Sequence, residues 1–132
     1  MIAPWVKSYV GIPFKSGGRT IHGLDCYGLI RLIYLEQFNK ILPLLDLYSD
    51  ADNFIETENV MKSYQPILAG QEVGTPEIGN VCVIKFHGLP VHLGIFVGDS
   101  FILHTLKGVG TVLQRCDDPN LRGRIEGWYS VD

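Results

Sequence analysis

Gly23–Phe38, GLDCYGLIRLIYLEQF, sets one cysteine between an acid and a helix-like apolar run. Leu29, Ile30, Leu32, Ile33 and Phe38 are apolar, while Arg31, Glu36 and Gln37 are polar, which is the pattern of a helix with a broad buried face. Asp25 is a good N-cap, because its carboxylate can accept from the unpaired N–H groups of the first turn. Cys26 therefore falls at about the first helical position. Positive partial charge at a helix N-terminus stabilises a thiolate, so this position predicts a depressed thiol pKa and a nucleophile. The plainer reading is a small buried residue near a cap, and a base elsewhere in the chain is what separates the two.

The chain has four histidines. His22 and His87 lie in turns. His92 and His104 sit inside apolar strands, VHLGIFV and FILHTL, where an imidazole is costly to bury unless it is hydrogen-bonded. Those strands flank Gly98–Ser100, a tight hairpin loop. With a three-residue loop, Val97 faces Phe101, His92 faces Leu106, and His104 lies diagonally beside that pair on the same face. A two-residue loop sends the rings to opposite faces unless a bulge restores the parity.

Outward from these elements, 132 residues with 46% hydrophobic and 19% charged content describe one globular domain, 1–132, and argue against disorder. A net charge of −3 offers no basic surplus for nucleic acid. The start, MIAPWVKSYV, lacks the basic and apolar regions of a signal peptide, and every apolar run is interrupted before it reaches membrane-span length. Synthesis in the cytoplasm is the expectation. Cys26, Cys82 and Cys116 are too few for a disulfide scaffold; Cys82 reads as a packed hydrophobe, with a Cys82–Cys116 bridge left open. A short opening helix is expected in APWVKSYVG, a loop in IPFKSGGRTIHG, and a further helix in SDADNFIETENVMKSYQP. From Gly79 the period changes to short β-branched and aromatic runs, NVCVIKF, VHLGIFV, SFILHTL, GTVLQRC and IEGWYSV, an antiparallel meander. Helices followed by strands predict an α+β fold, with N-terminal helices against one face of the sheet.

LDCYGLIRLIY followed by VHLGIFVGDSFILHT resembles the NlpC-type cell-wall cysteine peptidases. Their pattern has Asp-Cys-x-Gly-Leu at a helix start, His-x-Gly-Ile on a later strand, and a third polar residue, often His, about a dozen positions on. The paired glycines of GIPFKSGGRTIHGLDC and the strand PEIGNVCVIKF also match, so the likeness runs from Pro4 to about Leu113. The compact length and the ending RCDDPNLRGRIEGWY look most like the phage tail-associated branch.

The resemblance implies a papain-like fold in which the nucleophile helix packs on the antiparallel sheet. It implies Cys26 as nucleophile, His92 as general base and acid, and His104 as the group orienting His92. The Cys26 N–H is a natural oxyanion donor, and Asp25 is a cap that could also face a substrate ammonium group. Where the family usually has Tyr and Ser, this chain has Phe14 and Tyr27, positions at which related enzymes bind substrate; Tyr9 or Tyr27 is a candidate to supply the missing hydroxyl. The implied activity is hydrolysis of bacterial peptidoglycan stem peptides at the D-glutamyl–diamino acid bond, through an acyl-enzyme and without metal or organic cofactor. The implied setting is a phage virion tail acting at the cell wall or periplasm, with phage tail proteins as partners. Two other readings stand beside it: a non-catalytic tail-tip or wall-binding module that keeps the fold, and a zinc site from Cys26, His92 and His104, which lacks any closely spaced ligand pair.

Overall fold

The computed structural model describes residues 1–43, 72–86 and 89–131. The helix expected in SDADNFIETENVMKSYQP lies outside the described residues. The helix that decides the fold, α1 (Cys26–Gln37), begins where the sequence places it. Asp25 is extended at φ −91°, and its Oδ1 accepts from the Gly28 N–H at 2.7 Å, closing one of the open donors of the first turn. Asn39 adopts φ 54° after the last turn, and the Lys40 N–H bonds back to the Tyr34 carbonyl at 2.9 Å, which ends the helix.

Upstream, the opening helix is reduced to one 3₁₀ turn, Val6–Ser8, with no side-chain cap at Trp5. The chain beyond it has a better use for its backbone. Gly11 N–H donates to the Thr111 carbonyl and Thr111 N–H to the Ile12 carbonyl, each at 2.9 Å, so the segment runs beside a strand edge instead of coiling on. The expected loop IPFKSGGRTIHG holds a small hairpin, β1 (Arg19–Thr20) with β2 (Gly23–Leu24).

Gly18, the second of the paired glycines, and Gly28, two residues after Cys26, serve one close approach. A Cβ at Gly28 would sit 2.0 Å from the Gly18 carbonyl oxygen, and one at Gly18 would sit 2.3 Å from the Gly23 carbonyl oxygen. Backbone meets backbone there, so neither neighbour can swing aside. Gly28→Ala is expected to destabilise the domain by about 3 kcal/mol, the upper end of ordinary overpacking, measured by urea unfolding.

The remaining strands are β3 (Glu72–Val73), β4 (Val81–Phe86), β5 (Leu89–Gly98), β6 (Phe101–Leu106), β7 (Gly110–Arg115) and β8 (Ile125–Tyr129). They form one antiparallel sheet in the order β3-β8-β4-β5-β6-β7. The meander runs from β4 to β7, and β8 then returns to the other side of β4. One face carries Val81, Val83, Leu93, Ile95, Val97 and Leu103, which pack with Leu29, Ile30 and Ile33 of α1 as the main core. The reverse face carries a smaller cluster around Cys82, Ile84, Ile102 and Leu121. A helix on an antiparallel sheet is the α+β architecture expected from the sequence.

Candidate active site

Asp25 does more than cap. Its Oδ1 also accepts from Arg19 Nη1 at 2.7 Å, and its Oδ2 from the Gly17 N–H at 3.2 Å. The carboxylate is 1% exposed and the guanidinium end is largely covered, with Arg19 Cζ 5.4 Å from the Tyr27 ring centroid. A substrate ammonium group has no surface to meet at Asp25 in this arrangement; the carboxylate ties the glycine-rich hairpin to the helix start. Arg19, which sequence reasoning did not single out, thereby fixes the base of the turn that carries Cys26.

Cys26 is half-buried at the N-terminus of α1, where the backbone N–H groups of Leu93 and Tyr27 act to favour its thiolate. Leu93 lies next to His92 on β5. The ladder between β5 and β6 pairs Gly98 with Phe101, Phe96 with Ile102 and Ile95 with Leu103, and stops there. Past Ile95 the Leu93 N–H lies close enough to the thiol to favour its ionised form. The helix tip and the sheet thus meet at a seam between two strands.

Hairpin geometry brings the two histidines together. The turn is the two-residue form, Asp99 and Ser100 at φ 51° and 64°, and a bulge at Val97 shifts the register between Phe96 and Gly98. The bulge restores the parity that a two-residue loop would have lost. His92 and His104 therefore share the face of Ile84 and Ile102, with His92 Nε2 3.0 Å from His104 Nδ1 and ring centroids 5.2 Å apart. His104 Nε2 lies 2.7 Å from Gln114 Oε1. In β6–β7, His104 pairs with Val112 and Ile102 with Gln114, so Gln114 is the diagonal neighbour of His104. Gln114 was missed from sequence, although the Lys107–Val109 turn, once read as three residues, places it on the histidine face.

Electrostatics at the site differ from the expectation of a depressed thiol pKa. Burial pushes the Cys26 thiol up to about 12, and the Asp25 carboxylate adds to the rise; the Leu93 and Tyr27 N–H groups and the Arg19 cation only partly oppose it. Burial likewise pushes His92 down to about 3, with His104 adding to the fall. His104 is lowered by burial too, against the pull of its Gln114 hydrogen bond. Burial thus favours the neutral form of the thiol and of both imidazoles.

Two buried neutral rings make folding pH-dependent with a definite sign. Below about pH 6.5 the unfolded chain protonates these histidines while the folded chain resists, so stability falls as pH falls, by about 1.4 kcal/mol per pH unit for each ring still neutral. The window runs from about 6.5 down to about 3 for His92. Thermal melts between about pH 7 and pH 4 are expected to show this slope, and His92→Leu to reduce it by the share of that ring.

The NlpC/P60 family model matches residues 11–122. The chain belongs to the NlpC/P60 family. It is 22% identical over 116 residues to the murein DD-endopeptidase MepS/murein LD-carboxypeptidase of Escherichia coli strain K12, a match covering 86% of this chain and 53% of that protein. The chain thus spans about half the length of the curated relatives it matches. Among solved structures, the NlpC/p60 domain of peptidoglycan hydrolase SagA is similar with a TM-score of 0.62 at 19% identity, over 96% of this chain and 92% of that one. An NlpC/P60 protein of Bacillus cereus gives a TM-score of 0.67 at 17% identity, over 96% of this chain and 37% of that one. These likenesses show the papain-like fold of the family.

The two departures from the NlpC/P60 pattern have clear places. Tyr27 is buried, and its hydroxyl donates to the Pro43 carbonyl at 2.7 Å. Phe14 is half-buried and forms an isolated bridge to Leu24, one residue from Asp25. Tyr9, the other tyrosine considered as a substitute hydroxyl, donates to Glu36 at 2.7 Å and is buried under α1. Both tyrosine hydroxyls thus serve internal bonds. Cys82 and Cys116 are free thiols packed in the reverse-face cluster. Among the described residues, no three His, Cys, Asp or Glu side chains are arranged to hold a metal ion, and no helix is long and apolar enough to cross a membrane.

Proposed function

We propose that this NlpC/P60 domain is a cysteine peptidase that hydrolyses peptidoglycan stem peptides, with Cys26 as nucleophile, His92 as general base and acid, and His104 orienting His92. One observation carries the reading: Cys26 at the start of α1 feels the Leu93 N–H, and the next residue on that strand, His92, has its ring held by His104 at 3.0 Å. His92 Nε2 is committed to His104, so proton exchange with the thiol falls to Nδ1. In the first step the sulfur bonds to the amide carbonyl carbon as its proton passes to His92 Nδ1. The Cys26 N–H supports the oxyanion. The C–N bond then breaks, the amine leaves with the proton from His92, and a thioester remains. Water gives His92 a proton as it attacks the thioester, that proton returns to sulfur as the C–S bond breaks, and the carboxylic acid departs and loses its own proton to solvent.

The scissile bond proposed is the one between D-glutamate and the diamino acid. Purified protein incubated with diaminopimelate-type peptidoglycan is expected to release fragments whose masses place the cut there. The E. coli relative is named for DD-endopeptidase and LD-carboxypeptidase activities, so fragments cut at a DD or LD bond would replace the bond assignment. Residues 1–132 are taken as one peptidase domain, made in the cytoplasm and delivered to the wall on a phage tail, a proposal that rests on the likeness to the tail-associated branch. The changes at Phe14 and Tyr27 favour a second reading, a tail-tip or wall-binding module without turnover. Binding to peptidoglycan with no fragments released would select it.

A further inference from the structure

A neutral imidazole carries one N–H and one lone pair, so a chain of side chains joined through two such rings can point its hydrogens in only one direction at a time. In this site the chain ends on the Gln114 side-chain oxygen, 2.7 Å from His104 Nε2. A carbonyl oxygen accepts and cannot donate. It holds the His104 hydrogen on Nε2 and leaves Nδ1 as the acceptor. His92 Nε2, 3.0 Å away, then donates to His104 Nδ1, and the His92 lone pair falls on Nδ1. With the amide turned over, every hydrogen reverses: the amide N–H donates to His104 Nε2, His104 Nδ1–H donates to His92 Nε2, and His92 carries its hydrogen on Nδ1, where it cannot take a proton from a thiol.

We propose that Gln114 is a positioning residue whose side-chain oxygen fixes the tautomer of His104 and, through it, of His92, so that His92 meets Cys26 as a base. The inference deepens the cysteine-peptidase reading and rests on it. Three features of the fold support the assignment. The three side chains lie on adjacent strands β5, β6 and β7, each a diagonal neighbour of the next. His92 is 7% exposed and His104 2%, so bulk water does not compete for these bonds. An amide also suits rings that burial keeps neutral, because it supplies an acceptor without placing a carboxylate charge beside them.

The test is read first on the resting protein, by nitrogen-15 NMR of the histidine rings near neutral pH. The expected spectrum shows Nε2 protonated and Nδ1 bare on both His92 and His104. Hydrogen on Nδ1 of either ring overturns the proposal. Gln114→Leu is expected to give a mixture of tautomers and to lower kcat about tenfold with KM unchanged. A Gln114→Leu protein with wild-type tautomers and wild-type kcat also overturns it. If the wild type hydrolyses no stem peptide, that counts against the peptidase reading, and the spectra still decide whether Gln114 sets the tautomers.

Discussion

Cys26→Ala is expected to lower kcat/KM on a diaminopimelate stem peptide by about four orders of magnitude or more while leaving the fold intact. Without the sulfur no thioester forms, and the remaining backbone donors and binding contacts can only assist direct attack by water. The loss is expected in kcat, because the side chain removed makes its covalent bond in the transition state and little contact before it. Cys26 is half-buried and its main-chain role belongs to the Asp25 cap, so the variant keeps the Asp25–Gly28 bond of 2.7 Å and melts near the wild type. Matched circular dichroism of the two proteins checks that the lost activity is not lost folding.

His92→Gln is expected to cost about three orders of magnitude in kcat, and its pH dependence identifies the cause. Burial holds the thiol above its ordinary range, so attack at neutral pH depends on a base that removes the proton during the step. Glutamine can occupy the space of the ring but cannot accept that proton. Activity of the variant should therefore climb steadily as pH rises toward the thiol pKa, because hydroxide takes over the deprotonation. The wild type, whose base is already neutral near pH 7, should stay flat over the same range. A His92→Gln protein with a flat profile at wild-type rate would remove His92 from the mechanism. The raised thiol also bears on the choice between peptidase and binding module. Alkylation of the resting Cys26 should be slow at neutral pH in either case, so turnover of substrate, and not thiol reactivity, separates them.

Much of the site was legible because its determinants are local. Asp25 and Cys26 follow from one cap and one apolar period, and the Asp25–Gly28 bond bears this out. The shared face of His92 and His104 was legible as a condition on the hairpin loop, met by a two-residue turn plus the Val97 bulge. What the sequence hid depends on contacts between distant segments. The rise of the thiol was not legible because the helix N-terminus is a local feature, whereas the burial that outweighs it depends on how the folded chain packs around Cys26. Arg19 was passed over as a loop cation; its bond to Asp25 exists only because Gly18 and Gly28 let two backbones approach closely. The opening helix was expected from spacing alone, and pairing with Thr111, a hundred residues on, drew its backbone away. The return of β8 to the free side of β4 is likewise a long-range choice that no local pattern announces.

The most direct measurement is a parallel digest of intact diaminopimelate-type peptidoglycan by the wild type and by Cys26→Ala, with the soluble products identified by mass spectrometry. Stem-peptide fragments from the wild type alone are the expected result. Equal release by both proteins would contradict the account, since hydrolysis would then proceed without the sulfur on which every step depends.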